Sequence, residues 1–444
     1  MEKRKNRYGL VAVLIALALL LGVGTGVFGA LYLHDALPFG TSTAVVATPG
    51  TPPEESAPPP EEEAGFTALP LPVEMRAMWI SFLEWNQVDF SGEGPFRADF
   101  AEMLDNCKEL GMNTIIASVR PFGDALYEST LYPWSHLVHE YGLQGVHPGF
   151  DPLAVMIEEA HARQLRFEAW INPYRVLHPT NAPGALAAEN PAVQNPSWAP
   201  EVGTGRFFDP GLPEVEALVV QGVAEILQNY EVDGIHFDDY FYPDSIDESF
   251  DADTYAQYGG ALPLADWRRD NTARMVAKVH QTVHEADSGA SFGISMQGNN
   301  ENNYSMMYAD VRLWMANESY VDYVMPQLYW GYAYRTQSGR DTYAYENILA
   351  QWAFFPRASG VHLYVGLGAY RIGLLAEDGT REGFGDGGNN EQAEWESGHN
   401  LADMVRSARA AGFSGFALFR YEFLFQPQDE LAASECRAIA EALA

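Results

Sequence analysis

Short apolar runs alternate with amphipathic stretches along the chain from Val73 to its C-terminus. Eight such runs occur, at residues 75–81, 113–123, 166–176, 232–243, 290–297, 321–330, 362–373 and 413–424. Apolar residues recur at helical spacing in the segments between most of them, which indicates an α/β fold with a parallel sheet. Eight strand–helix units favour a (β/α)8 barrel of the TIM type over a doubly wound sheet. No glycine-rich dinucleotide motif follows the first run, which also disfavours the doubly wound alternative.

The first 71 residues follow a different pattern. Residues 1–7 are basic, and residues 8–33 form a run of 26 residues without a charge, long enough to cross a bilayer as a helix. We interpret the run as a transmembrane signal-anchor with residues 1–7 as a cytoplasmic tail; a cleaved signal peptide is the alternative. Residues 34–71 are rich in Pro and Glu and predict a disordered linker. Residues 72–444 would then form the barrel domain on the outer side of the cell membrane.

Composition narrows the range of partners. The formal net charge is −34, from 26 Lys and Arg against 60 Asp and Glu, so binding to nucleic acid is not expected. Aromatic residues make up 13% of the chain, and such rings serve either sugar-binding clefts or large cores. The two cysteines, Cys107 and Cys436, lie in the first and last helical segments. They are either a disulfide between neighbouring helices or two free thiols, and we favour free thiols.

The densest group of ionisable residues lies in the fourth run, in the sequence DGIHFDDYFYP (233–243). Side chains alternate along a strand, so Asp238 should face the barrel interior together with His236 and Tyr240, while Asp239 should face away. Active sites of such barrels lie at the C-terminal ends of the strands. We therefore predict Asp238 as the principal catalytic carboxylate, and Asp239 as a second candidate that enters the site only if the strand frays.

Glycoside hydrolysis generally uses two carboxyl groups, so a partner from another strand is expected. Glu422 at the end of the eighth run is the candidate that we include in the catalytic set, with Asp124 and Glu84 as alternatives. The sequence does not give the separation of the carboxylates, and it therefore does not distinguish retention from inversion.

Further polar and aromatic residues stand at the strand ends, where they would bind hydroxyl and amide groups or stack on sugar rings. The predicted substrate-binding residues are Arg120, Asp124, Asn172, Tyr174, Arg175, His236, Tyr240, Gln327, Tyr329, Trp330 and Tyr370. No serine-nucleophile motif, HExxH motif or other zinc spacing was recognised, so we expect neither a metal nor another cofactor.

Several of these strings together resemble the glycosyl-hydrolase-like 10 family. The matching strings are RAMWIS, NTIIASVRPFGDALYES, AWINPYRV, DGIHFDDYFYP, FGIS, PQLYW and LYVGLGAYRIG, within residues 73–425. The resemblance implies a TIM-barrel hydrolase of bacterial envelope polysaccharide, acting on peptidoglycan glycan strands, notably strands without stem peptides. It assigns the family's strand-four aspartates to Asp238 and Asp239, and its strand-two arginine to Arg120. The sequence departs from the family pattern at FLEWNQVDF and at SMQGNNENNY, both at the expected rim of the cleft.

Two other functions remain open at this point. A barrel that binds glycan without cleaving it would lack a second carboxylate at catalytic distance from the aspartates. A metal-dependent deacetylase would need a His and Asp triad, and no such spacing was recognised.

Overall fold

The computed structural model describes residues 66–139, 142–178, 182–243, 246–286, 288–375, 381–382, 391–426 and 429–444. Eight parallel strands form its central sheet. They are β1 (Met75–Ile80), β2 (Thr114–Arg120), β3 (Arg166–Ile171), β4 (Gly234–Phe237), β5 (Ser291–Ile294), β6 (Tyr323–Val324), β7 (His362–Leu363 and Val365–Gly368) and β8 (Gly415–Phe419).

The sheet closes on itself through β7. Strands β1 to β6 pair in sequence order, and β8 pairs with β1. The first segment of β7 pairs with β6 and the second with β8, with only Tyr364 between the two segments. The backbone N–H of Tyr364 donates to Val324 at 3.0 Å, so the ladder continues across this break. The predicted (β/α)8 architecture is therefore confirmed.

A helix follows each strand and packs on the outside of the barrel. These helices are α1 (Glu93–Glu109), α2 (Pro152–Ala162), α3 (Pro213–Asn229), α4 (Leu264–Glu285), α5 (Val311–Met315), α6 (Tyr345–Phe354), α7 (Asn400–Ala410) and α8 (Glu430–Leu443). Local sequence sets their starts. The carboxylates of Asp151 and Asp429 accept from the first-turn N–H groups of α2 and α8, and proline opens α2 and α3.

Shorter elements decorate the loops. Helical turns occur at Glu84–Gln87, His136–Val138, Pro191–Gln194, Pro196–Trp198, Ala252–Tyr258, Asn300–Ser305, Ala369–Ile372, Gln392–Trp395 and Glu422–Phe425. The long connection after β3 forms an antiparallel sheet of Arg175–Leu177, Glu201–Val202 and Gly205–Phe207, and Leu374–Leu375 pairs with Arg381–Glu382.

The barrel interior combines an apolar cluster with a chain of buried polar groups. Arg166 donates from Nε to Glu168 at 3.0 Å, and Glu168 accepts from the hydroxyl of Tyr323. The hydroxyl of Tyr323 in turn lies 2.7 Å from His236 Nδ1. An unpaired buried charge is strongly destabilising, and this pairing allows Arg166 and Glu168 to occupy the interior.

Residues just before β1 pack on the N-terminal end of the barrel. The backbone N–H of Ala68 donates to Ser288 at 2.7 Å, and that of Leu69 donates to Asp233 at 2.6 Å. The ring of Phe66 stacks on His161 with 5.9 Å between centroids. The packed part of the chain therefore includes residues from Phe66 onward, within the segment that the sequence analysis assigns to the linker.

The predicted signal-anchor at residues 8–33 lies outside the described residues. Within the described part, no helix is both long and apolar enough to cross a membrane. Both cysteines are free thiols, as favoured from the sequence. Cys107 is buried, which raises the pKa of its thiol, and Cys436 is half-buried.

Candidate active site

A cleft of about 390 Å³ opens at the C-terminal end of the barrel, where the residues after each strand converge. Its polar lining comes mainly from the ends of β3 to β6, and aromatic rings from β1, β3, β4, β6, β7 and β8 and the segments after them surround it. The polar residues are Ser81, Arg175, His178, Asp238, Asp239, Ser295 and Gln327; the rings are Trp79, Phe82, Trp170, Phe207, Tyr240, Tyr329, Tyr370 and Phe419.

Both aspartates of the fourth run line this cleft, which corrects the prediction that Asp239 faces away. Strand β4 ends at Phe237, one residue before the pair. Alternation of side chains holds only along extended, paired backbone. Once the strand has ended, the turn through Asp238 and Asp239 directs both carboxylates to the same side.

Asp238 is buried and both of its oxygens accept hydrogen bonds. Asn172 donates from its side-chain amide to Oδ2, and the backbone N–H of Tyr240 donates to Oδ1 at 3.1 Å. Burial raises the pKa of Asp238, and the positive charge of Arg175 and these hydrogen bonds oppose that rise. Burial thus disfavours the ionised form of Asp238, and the guanidinium and the hydrogen-bond donors partly offset this effect.

Arg175 is fixed beside this carboxylate by contacts on several sides. Its Nε donates to the carbonyl of Pro121 at 2.8 Å, and its Nη2 donates to Asn172 Oδ1 at 2.7 Å. Its guanidinium carbon lies 5.0 Å from the centroid of Phe122 and 5.2 Å from that of Tyr240. A cation held in this way contributes to the site without having to reorganise.

Asp239 has a different environment. Its Oδ1 accepts from Gln327 Nε2 at 3.1 Å. Burial and the neighbouring charge of Asp238 raise the pKa of Asp239 to about 7, and the hydrogen bond from Gln327 partly opposes this. The repulsion from Asp238 thus favours the protonated form of Asp239 near neutral pH.

The aromatic wall extends the cleft to one side. Tyr329 stacks on Phe419 at 5.7 Å and meets Tyr370 edge to face at 5.4 Å. An adjoining cavity of about 250 Å³ shares Asp239, Gln327, Tyr329 and Tyr370, and adds Gln297, Gly298, Trp330 and Arg371. The acidic group thus stands where two parts of an elongated cleft meet.

The proposed second carboxylates do not line this cleft. Asp124 is buried and accepts at 2.7 Å from both His136 Nδ1 and Gln144 Nε2. Glu422 pairs with Arg420 at 2.6 Å and accepts from Gln87 at 2.8 Å. These partners hold both carboxylates in structural interactions, so neither the catalytic assignment of Glu422 nor the binding role of Asp124 has geometric support.

Glu84 is also committed to structural contacts. It is buried, accepts from Ser81 Oγ at 2.6 Å, and pairs with Arg420 at 2.5 Å. Among the residues that the structure describes, Asp238 and Asp239 are the only carboxylates lining the cleft.

Three other predicted binding residues point elsewhere. The guanidinium carbon of Arg120 lies 4.6 Å from the centroid of the Tyr132 ring. Tyr174 is buried, and neither Arg120 nor Tyr174 lines the cleft. His236 lies below the cleft, with Nε2 at 3.1 Å from Ser295 Oγ. Burial lowers the pKa of His236 to about 3, so its ring is neutral at physiological pH. The position of Arg120 at the end of β2 predicted a place in the cleft, but its guanidinium packs on Tyr132 instead.

The remaining predicted binding residues are brought together. Asn172, Arg175, Tyr240, Gln327, Tyr329 and Tyr370 contact the aspartates or line the cleft, and Trp330 lines the adjoining cavity. Trp79, Phe82, Trp170 and Phe419 were missed as lining residues, because apolar residues of strands and strand ends have the same sequence signal as core residues.

The barrel resembles solved glycoside hydrolase structures in fold. The PgaB (BpsB) glycoside hydrolase domain from Bordetella bronchiseptica has a TM-score of 0.50 at 11% identity, covering 82% of this chain and 99% of that one. The catalytic domain of β-amylase from Paenibacillus polymyxa has a TM-score of 0.51 at 11% identity, covering 85% of this chain and 99% of that one. At this identity the likeness concerns the fold alone.

Sequence comparison identifies nearer relatives. Glycosyl hydrolase YngK of Bacillus subtilis (strain 168) is 35% identical over an alignment of 321 residues that covers 67% of this chain and 61% of that protein. Glycosyl hydrolase DigH of Escherichia coli (strain K12) is 34% identical over 395 residues, covering 81% of this chain and 86% of that protein.

The family model described as "Glycosyl hydrolase-like 10" matches residues 74–379, which contain the strand ends that carry both aspartates, Asn172, Arg175 and Gln327. The resemblance drawn from the sequence is thus confirmed: the chain belongs to the glycosyl hydrolase-like 10 family.

Proposed function

We propose that this protein hydrolyses glycosidic bonds of a bacterial envelope glycan, with Asp239 as general acid and Asp238 as its ionised partner. The observation that carries this proposal is the contrast between the two carboxyl groups. Burial raises the pKa of both groups, but hydrogen-bond donors and a guanidinium oppose this at Asp238, whereas the charge of Asp238 adds to it at Asp239, whose pKa is raised to about 7. Such a divergence between neighbouring carboxyl groups is typical of glycosidase acid and base pairs.

We propose further that the sugar itself supplies the nucleophile. Both oxygens of Asp238 already accept hydrogen bonds, which makes this carboxylate a weak nucleophile. Among the described residues, the cleft also contains no third carboxylate to activate water on the opposite face of the sugar. A substrate with a 2-acetamido group would supply the missing nucleophile, since the carbonyl oxygen of that group can attack the anomeric carbon.

In the first step, Asp239 transfers its proton to the glycosidic oxygen as the bond from that oxygen to C1 breaks. The acetamido oxygen forms a bond to C1, and Asp238 accepts a hydrogen bond from the acetamido N–H and stabilises the positive ring. In the second step, water gives a proton to Asp239 and bonds to C1 as the acetamido oxygen departs. Both aspartates return to their starting states, and the anomeric configuration is retained.

Peptidoglycan glycan strands are the substrate we propose, because every sugar in them carries a 2-acetamido group. The elongated cleft with aromatic walls suits a polymer, since rings such as Tyr329 and Trp330 offer stacking surfaces beside the aspartates. The uncharged run at residues 8–33 supports a membrane-anchored position outside the cytoplasm, where such strands are found.

The test is digestion of purified glycan strands by the full-length protein, with products separated by mass. We expect short saccharides from peptide-free strands, and proton NMR of the first products should show the retained anomer. Inverted product would contradict the substrate-assisted step but leave hydrolysis intact. Strands that are bound but never cleaved would instead support the glycan-binding alternative.

A further inference from the structure

A second cluster of chemically reactive side chains lies at the N-terminal end of the barrel, opposite the cleft. His280 and His284 stand one turn apart near the end of α4, and Asp322 directly precedes β6. One ligand atom from each of the three residues lies within 4.8 Å of the others. The sequence alone does not reveal this cluster, because the third residue is distant along the chain.

The distances suit a small divalent cation. Nε2 of His284 lies 3.0 Å and Nε2 of His280 lies 3.5 Å from the same Asp322 oxygen, Oδ1. Tetrahedral zinc, with bonds of about 2.0–2.2 Å, places neighbouring ligand atoms about 3.3–3.5 Å apart. Small adjustments of the side chains would therefore admit an ion between the three atoms.

Asp322 is held in place by the sheet around it. Its other oxygen, Oδ2, accepts from the backbone N–H of Phe292 at 2.7 Å. Its backbone N–H donates to Phe292, and its carbonyl accepts from His362, both at 2.8 Å. Contacts of this kind fix the orientation of a metal-binding carboxylate before the ion arrives.

A simple ion pair does not account for the whole cluster. Nε2 of His284 hydrogen-bonds to Asp322 Oδ1 at 3.0 Å, whereas the buried Nε2 of His280 lies at an ion-pair distance of 3.5 Å from that oxygen and makes no well-directed hydrogen bond in the part of the chain that the structure describes. The two imidazole rings also lie 4.3 Å apart, with both Nε2 atoms near one carboxylate oxygen. A buried polar atom of this kind calls for a partner.

We propose that His280, His284 and Asp322 bind one zinc-class divalent cation, with water completing its coordination. Two imidazoles and a carboxylate favour zinc and similar transition ions over magnesium or calcium. The ion would link the last turns of α4 to the start of β6. Because the site lies at the opposite end of the barrel from Asp238 and Asp239, the ion would stabilise the fold and take no part in glycan cleavage.

The test is direct titration of the chelator-treated, tag-free full-length protein with Zn²⁺ and with Co²⁺. We expect one equivalent to bind, the visible absorption of Co²⁺ to report imidazole ligation, and the Tm to rise. Second-sphere changes at metal sites weaken binding by about 10–100-fold, so His284→Gln and Asp322→Asn should each weaken it by at least about 100-fold. His284 is half exposed, and Asn at 322 keeps an acceptor for Phe292, so both variants should fold.

The matched control is His399→Gln. His399 also forms a helical pair one turn from an aspartate, at 2.8 Å from Asp403, but no third ligand joins it in the described structure. This variant should bind the ion as the unaltered protein does. The proposal is overturned if no saturable equivalent binds, or if His284→Gln and His399→Gln bind equally well.

Discussion

Gln327 donates a hydrogen bond from its side-chain amide to Asp239, with 3.1 Å between Nε2 and Oδ1. The same amide lies 3.3 Å from the carbonyl of Ser295, so the amide group is fixed between strand ends β5 and β6. A donor placed in this way stabilises the carboxylate form of Asp239 and keeps its pKa from rising further. Gln327 therefore adjusts the acid on which the proposed reaction depends.

Replacing Gln327 by alanine should raise the pKa of Asp239. Activity requires Asp239 protonated, so the alkaline limb of the pH profile should move to higher pH. A hydrogen bond to a charged group contributes about 1.5–3 kcal/mol, which corresponds to about one to two pH units. The pH dependence of kcat/KM measures the shift. An alkaline limb that stays in place would show that Asp239 is not the group titrating there.

Asn172→Ala should shift the acidic limb of the pH profile. Asn172 donates to Asp238 and accepts from Arg175, so its loss removes support for the ionised form of Asp238. The pKa of Asp238 should rise, the acidic limb should move to higher pH, and kcat should fall by about 10–100-fold for the loss of one hydrogen bond to a charged group. The pH dependence of kcat and of kcat/KM measures both the shift of the acidic limb and the fall in kcat. An unchanged acidic limb with a normal fold would rule out Asp238 as the ionised partner.

Asp239→Asn should make the protein more stable at alkaline pH. The folded pKa of Asp239 is about 7 against an ordinary value of 3.8, so the folded state binds more protons between these values. Stability contributed by this group is present at low pH and is lost as pH rises through about 7. The upper limit of this loss is about 4 kcal/mol.

Denaturant unfolding at pH 5 and at pH 8 measures this effect. The free energy of unfolding of Asp239→Asn should exceed that of the unaltered protein by more at pH 8 than at pH 5. Comparison with the unaltered protein at each pH is needed because burial also raises the pKa of Glu435 to about 7. An equal difference at both pH values would mean that the carboxyl of Asp239 titrates as an exposed group does.

The strand–helix alternation of the sequence predicts the barrel because each unit repeats the same apolar pattern. It also predicts that the polar strand ends at Asn172, Arg175 and Gln327 meet, since parallel strands end on one face. The prediction is wrong at the point where a strand ends. Asp239 enters the cleft because β4 ends at Phe237, and a pattern of alternation contains no signal for that end.

Partners distant in sequence account for the other errors. Glu422 has the position of a catalytic carboxylate, but Arg420 and Gln87 hold it outside the cleft. The pair His280 and His284 has no evident role until the barrel brings Asp322 beside it. Such relationships depend on packing between elements, which neither the spacing nor the composition of a single segment determines.

The most direct test of the account is the rate of cleavage of peptide-free glycan strands by Asp239→Asn and by Glu422→Gln. Removal of a general acid lowers the rate by about 10²–10⁴-fold, and we expect a loss of this size for Asp239→Asn. Glu422→Gln should cleave at nearly the unaltered rate, because Glu422 does not line the cleft. Full activity in Asp239→Asn, or its loss in Glu422→Gln with the fold intact, would contradict the assignment of the catalytic acid.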